Sequence, residues 1–171
     1  MSHIQLIQGD ITTAHVDAIV NAANSRMLGG GGVDGAIHRV AGPELLQACL
    51  QVPESEPGVR CPVGHAQITR AGRLSAKFVI HTVGPIYRSH HHSGPYLESA
   101  YRHTLELART HHCHSIAFPA ISCGVYGYPY QDAAQIALTT CLDYGELDIT
   151  FYLFADDIYQ VWQDVYQQLL A

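Results

Sequence analysis

The feature that most constrains this chain is a regular alternation of short β-branched runs with longer helical patterns. The stretches "IQLIQ" (4–8), "DAIVNA" (17–22), "HAQITR" (65–70), "AKFVIHTV" (76–83), "SIAFPA" (115–120) and "DITFYLF" (148–154) predict six strands, several apolar enough to lie buried on both faces. Between them the patterns predict helices over 34–41, 43–51, 95–111, 129–143 and 157–170. Pro43 and Pro129 suit first helical turns, and Asp156 and Asp157 give the last helix an acidic start. Strands alternating with helices predict an α/β fold, a three-layer α/β/α sandwich around a central mixed, largely parallel sheet. In such sheets ligand crevices open beyond the carboxyl ends of the strands.

At 171 residues and 47% hydrophobic content, the chain can bury one sizeable core. The turn-rich segment "PESEPGVRCPVG" (53–64) reads as a connection, because the patterns on both sides of it are needed to complete one sheet. One domain over residues 1–171 is therefore expected, and no internal repeat is found. A formal net charge of -6, with nine Lys and Arg in all, argues against a nucleic-acid surface built on bulk positive charge. Cys49, Cys61, Cys113, Cys123 and Cys141 form an odd set without a C-x-x-C pair, which fits a reducing cytoplasm better than a disulfide framework or a zinc ribbon. The start "HIQLIQGD" shows no export-signal pattern and no apolar stretch approaches membrane-spanning length, so neither export by that route nor membrane insertion is expected.

Two glycine-rich loops stand where the fold class places a ligand. One spans 28–32 and holds the run Gly29 to Gly32; the other is "ISCGVYGYP" (121–129). Each leaves a strand and leads into a helix, so each can aim consecutive backbone N–H groups and a helix N-terminus at one anion. Two such loops can clamp a diphosphate. Net acidity does not forbid this, since scattered surface carboxylates are screened over about 8 Å in cell-like salt while fixed amides act at contact distance. Gly30, Gly32 and Gly35 also satisfy the G-x-G-x-x-G dinucleotide fingerprint. The acidic residues some twenty positions on, Glu54 and Glu56, lie in a proline-bounded loop and not at the end of a second strand, which makes the redox reading a minor alternative. A phosphate loop of the G-x-x-x-x-G-K-[ST] type is excluded, because no lysine follows these glycines.

The motifs "QGDIT" (8–12), "VDAIVNAAN" (16–24), "GGGGVDGAIH" (29–38), "HTVGP" (81–85) and "FPAISCGVYGYP" (118–129) resemble the macrodomain family, in particular its MacroD-like hydrolase branch and, among bacterial members, the YmdB-like proteins. The resemblance runs in order over nearly the whole chain. It implies an α/β/α sandwich that binds ADP-ribose, removes mono-ADP-ribose from acidic side chains and deacetylates O-acetyl-ADP-ribose, with no cofactor or metal.

Carried over residue by residue, the resemblance assigns Asp10 to the adenine amino group with the Ile11 backbone beside it, and Phe154 to packing on the adenine. The family usually has an aspartate directly after that aromatic, whereas this chain has Ala155 and then Asp156. Gly30, Gly31, Gly32 and Val33 fall in the first phosphate loop. Ser122, Cys123, Gly124, Val125 and Tyr126 match the segment that covers the phosphates and distal ribose. Asn24 and Asp34 correspond to the polar pair at the distal ribose and are the expected catalytic residues. On the residues alone, Asp10 also fits a turn cap, Phe154 a core position, Asn24 a turn residue and Asp34 a helix N-cap. The expected chemistry is attack of water on the ribosyl ester, with Asp34 orienting or activating the water; a substrate phosphate oxygen as base, with Asn24 holding a ribose hydroxyl, is the alternative.

Cys123 as a covalent nucleophile lacks any accompanying signature. His90, His91 and His92 are read as a polar loop, and His111, His112 and His114 as a helix end; without H-E-x-x-H or mixed Cys/His spacing they are read as surface clusters and not as metal ligands. His38, four residues after Asp34, shares its helix face and is read as a satisfied core residue in preference to a residue that supports Asp34 from behind. The expected partners are ADP-ribose or O-acetyl-ADP-ribose and mono-ADP-ribosylated proteins. The alternatives are a non-catalytic ADP-ribose reader and a regulator of an RNA-processing enzyme.

Overall fold

The computed structural model describes residues 3–171. Six strands form one sheet: β1 (Ile4–Gln8), β2 (Ala18–Ala22), β3 (Ala66–Arg70), β4 (Phe78–Thr82), β5 (Ser115–Phe118) and β6 (Asp148–Leu153). The helices are α1 (Gly32–Ala41), α2 (Pro43–Leu50), α3 (His90–Thr110), α4 (Tyr130–Leu142) and α5 (Asp156–Leu170), with a short 3-10 turn at Ile11–Thr13. The strand order is β1-β6-β5-β2-β4-β3. All neighbours run parallel except the edge pair β3 and β4, so the sheet is mixed and largely parallel, as the alternation predicts.

Strand alternation sorts the core into two layers. On one face Ala18, Val20, Ile80, Phe118 and Phe151 pack under α3, α4 and α5 through Leu97, Tyr101, Leu138 and Trp162. On the other, Ile19, Val79 and Ala117 meet Ile37 and Ala41 of α1 and Leu45 of α2. Phe118 stacks on Phe151 with centroids 5.2 Å apart, and Phe151 meets Trp162 at 5.0 Å. Each such ring pair contributes about 0.5–1.5 kcal/mol beyond its buried area.

Two helix starts differ from the sequence reading by more than one residue, and Pro129, expected in the first turn of α4, is its N-cap. α1 begins at Gly32 with Gly31 as its N-cap, so Asp34 is the third helical residue and not the cap. α3 begins at His90 and not at Pro95: the Ser89 Oγ accepts the His92 N–H at 3.1 Å and caps the helix ahead of the proline. His90, His91 and His92 are therefore the first turn of α3 and not a loop. β5 stops at Phe118 because Pro119 has no N–H for the ladder.

Candidate functional site

The carboxyl ends of β1, β2, β5 and β6 open into a cleft of about 780 Å³. Its wall brings together Asp10, Ile11, Asn24, Gly30, Gly31, Gly32, Val33, Asp34, Ser122, Cys123, Gly124, Val125, Tyr126 and Phe154, the full set of expected site residues. It also includes residues the sequence reading did not single out, among them Arg39, Gly84 and Tyr152.

The first loop is shaped by backbone constraint. Gly29 and Gly32 take φ of 96° and 58°, values that L side chains rarely adopt. No side chain caps α1, so its first-turn N–H groups open at the cleft with the positive end of the helix dipole. Asn24 holds the entry to this loop: its Oδ1 accepts the N–H of Arg26 at 3.1 Å and of Met27 at 3.3 Å, and its Nδ2 donates to the Gly29 carbonyl at 3.2 Å. It is thus both a turn residue and part of the cleft wall. A methyl group placed on Gly30 would lie 3.1 Å from Asp34 Oδ2 and 3.4 Å from Asn24 Nδ2. The space over Gly30 is therefore bordered by one acceptor and one donor, and glycine keeps it open.

The second loop is pinned from behind. Ser122 adopts φ 67°, a strained geometry for a residue with a side chain, and its Oγ donates to the Pro85 carbonyl at 2.7 Å. Its hydroxyl is thereby committed to the scaffold. A Cβ on Gly84 would fall 2.2 Å from that Oγ and 2.5 Å from Ile121 Cγ2, so only glycine lets the end of β4 and this loop approach. The Tyr87 N–H donates to the Tyr126 carbonyl at 2.9 Å and adds a second tie. Gly124 and Val125 stand exposed at the tip. Burial pushes the Cys123 thiol up to about 12, which keeps it protonated and argues against a nucleophilic role.

At the opposite end, Asp10 caps the 3-10 turn through Oδ1, which accepts from the Thr12 N–H at 2.9 Å and the Thr12 hydroxyl at 2.8 Å. Its Oδ2 makes no hydrogen bond among the described residues. Phe154 is 79% exposed just past β6, which overturns a core placement and leaves an aromatic face on the cleft rim.

Asp34 is nearly buried, and its Oδ1 accepts from Asn21 Nδ2 at 2.8 Å. Burial raises its carboxyl above the ordinary aspartate range, with the Asn21 hydrogen bond and the nearby His38 opposing that rise. His38 Nε2 lies 3.5 Å from Asp34 Oδ1 but forms no hydrogen bond among the described residues, so His38 faces the carboxylate and is not a satisfied core residue. Asn21, the donor to Asp34, was not singled out in the sequence; the available signal was an Asn inside an otherwise apolar strand.

The Macro domain family model matches residues 20–137. A macro domain-containing protein of Vibrio parahaemolyticus is 58% identical over 170 residues, covering 98% of this chain and 99% of that protein. A Salmonella typhimurium protein named O-acetyl-ADP-ribose deacetylase is 55% identical over 164 residues, covering 95% of this chain and 88% of its own length. Among solved structures, an Oceanobacillus iheyensis macrodomain with ADP superposes with a TM-score of 0.90 at 43% identity, covering 96% of this chain and 90% of that one. A Trypanosoma brucei macrodomain in complex with ADP-ribose gives 0.86 at 42% identity, covering 96% and 69%. The chain belongs to the macro domain family.

Proposed function

We propose that this protein is an ADP-ribose-binding hydrolase that cleaves acyl esters on the distal ribose, deacetylating O-acetyl-ADP-ribose and releasing mono-ADP-ribose from acidic side chains of proteins. The observation that carries this reading is the space over Gly30, bordered by Asp34 Oδ2 and Asn24 Nδ2 beside the N-terminus of α1. Relatives about 55% identical over most of the chain that are named O-acetyl-ADP-ribose deacetylase support it.

In this reading the diphosphate lies between the Gly30–Val33 amides and the Ser122–Tyr126 loop, and the adenine reaches Asp10 and Phe154. The distal ribose sits over Gly30, where Asn24 Nδ2 donates to a ribose oxygen and ionised Asp34 orients and polarises a water. The water oxygen bonds to the acyl carbon, the bond from that carbon to the ribose oxygen breaks, and the ribose oxygen takes the proton released from the water. The products are the carboxylic acid and ADP-ribose. Positioned general-base assistance of this kind contributes a factor of about 10²–10⁴. Five buried thiols, none of them disulfide-bonded, suit a reducing cytoplasm.

Incubation with O-acetyl-ADP-ribose and, separately, with a glutamate-ADP-ribosylated protein, followed by mass spectrometry, tests the reading. Release of acetate and of free ADP-ribose is expected. Binding without release of either product would leave a reader and sink the enzyme assignment.

A further inference from the structure

Behind Asp34, away from the cleft, lies a chain of polar groups buried between the sheet and the α1 and α2 layer. Parallel pairing of β2 with β4 sets Asn21 beside His81, and both are fully buried. Asn21 Nδ2 lies 2.8 Å from Asp34 Oδ1 and 3.2 Å from His81 Nδ1; His81 Nε2 lies 2.9 Å from Thr69 Oγ1, whose hydroxyl donates to the Arg70 carbonyl at 3.0 Å. An amide nitrogen can only donate, so His81 Nδ1 must accept and the ring proton must sit on Nε2. The Thr69 hydroxyl, with its own proton already placed on Arg70, accepts that proton. The direction of every bond in the chain is thereby fixed. The reverse amide orientation would set the Asn21 carbonyl against the Asp34 carboxylate, two acceptors face to face.

We propose that Asn21 and His81 are positioning residues for Asp34: a neutral imidazole in its Nε2–H form orients the Asn21 amide, which ties down Asp34 Oδ1 and turns Oδ2 toward the space over Gly30. The proposal rests on the reading that Asp34 acts on the attacking water. Burial, with His38 adding to it, pushes the His81 ring down to about 3, so the ring is neutral at neutral pH, and its partners Asn21 and Thr69 select the tautomer. His38 faces Asp34 from its own helix, and Cys49 of α2 faces the relay itself, its Sγ 3.7 Å from His81 Nε2; burial and the Asp34 charge push that thiol up to about 11, so it stays neutral beside the ring. A neutral relay next to a carboxylate leaves its charge intact while fixing its direction.

The test compares Asn21→Asp, His81→Asn, His81→Leu and Asp34→Ala for kcat, for ADP-ribose Kd by calorimetry, and for the pH profile of kcat/KM on O-acetyl-ADP-ribose. Asn21→Asp replaces the donor by an acceptor. It should lower kcat at least about tenfold and move the acid limb to higher pH, with Kd changed less than about threefold. His81→Asn keeps an acceptor at the Nδ1 position and should retain kcat within about fivefold; His81→Leu removes it and should lose more than about tenfold at equal folded fraction. A purely structural role would lower both His81 variants alike, in step with their melting temperatures, and leave the acid limb in place; that result overturns the proposal. Wild-type turnover in Asp34→Ala would instead overturn the functional reading itself.

Discussion

On the side of α3, α4 and α5, Phe118 of β5 and Phe151 of β6 pack with Tyr101 and Trp162, rings 5.0–6.2 Å apart, whereas on the side of α1 and α2 the strands β2, β4 and β3 present Asn21, His81 and Thr69, a polar chain that ends on Asp34. The first layer is held by buried area and close packing. The second gives up some of that to keep a carboxylate out of water, with Asn21 Oδ1 and His38 Nε2 left without hydrogen bonds among the described residues. Burying such groups destabilises a fold, and proteins retain them where a reactive group must be aimed. The division teaches that stability and chemistry are separable here by sheet face, so substitutions on the two sides should fail in different assays.

The largest effect should come from Asp34→Asn. Turnover of O-acetyl-ADP-ribose should fall by about 10²–10⁴, equivalent to about 3–5 kcal/mol of barrier, while ADP-ribose still binds in calorimetry. The same variant should melt at a higher temperature than wild type at neutral pH. The sign follows from the folded protein holding the Asp34 proton more tightly than the unfolded chain does. Its burial penalty is present above the raised folded value and disappears below the ordinary aspartate value. The difference in melting temperature should therefore close toward about pH 3. An unchanged melting difference across that range would remove the buried charge as its cause.

On the opposite face, Phe151→Ala should destabilise by about 3–5 kcal/mol in chemical denaturation, with kcat per folded molecule unchanged. A drop in kcat per folded molecule would show the two layers to be coupled. Phe154→Ala should leave stability within about 0.5 kcal/mol, because the ring is exposed, and, if the adenine stacks there as proposed, weaken ADP-ribose binding by about 1–3 kcal/mol. Gly30→Ala is the finest probe. Gly30 has no positive φ, so the backbone tolerates the change and stability should hold within about 1 kcal/mol. The methyl enters the space between Asp34 Oδ2 and Asn24 Nδ2 and should lower kcat/KM about tenfold, roughly 1.4 kcal/mol.

The strand and helix succession was legible because each element carries its own period and punctuation: "DAIVNA" and "AKFVIHTV" read as strands from their apolar, β-branched runs, and Pro43 suits the first turn of α2. The two cleft loops were legible as motifs, since glycine runs are a local property of the chain, whereas Asp10, Asn24, Asp34 and Phe154 came only with the family resemblance. What stayed hidden depended on register and packing. Nothing local says that Asn21 will pair beside His81 across sixty residues, or that Ser122 will reach back to Pro85 over a bare Gly84. The early start of α3 was hidden for a different reason. Pro95 suits a first turn, but the Ser89 cap and the Ser93 N–H bond to the Ser89 carbonyl at 2.8 Å start the helix five residues ahead of it.

A crystal structure of the Asp34→Asn protein with O-acetyl-ADP-ribose bound is the most direct measurement. The diphosphate oxygens should lie within roughly 2.7–3.2 Å of backbone amides from both the Gly30–Val33 and Ser122–Tyr126 segments, with the acylated ribose over Gly30 between residue 34 and Asn24. A diphosphate touching only one of the two segments, or a ribose turned out of that space, would contradict it.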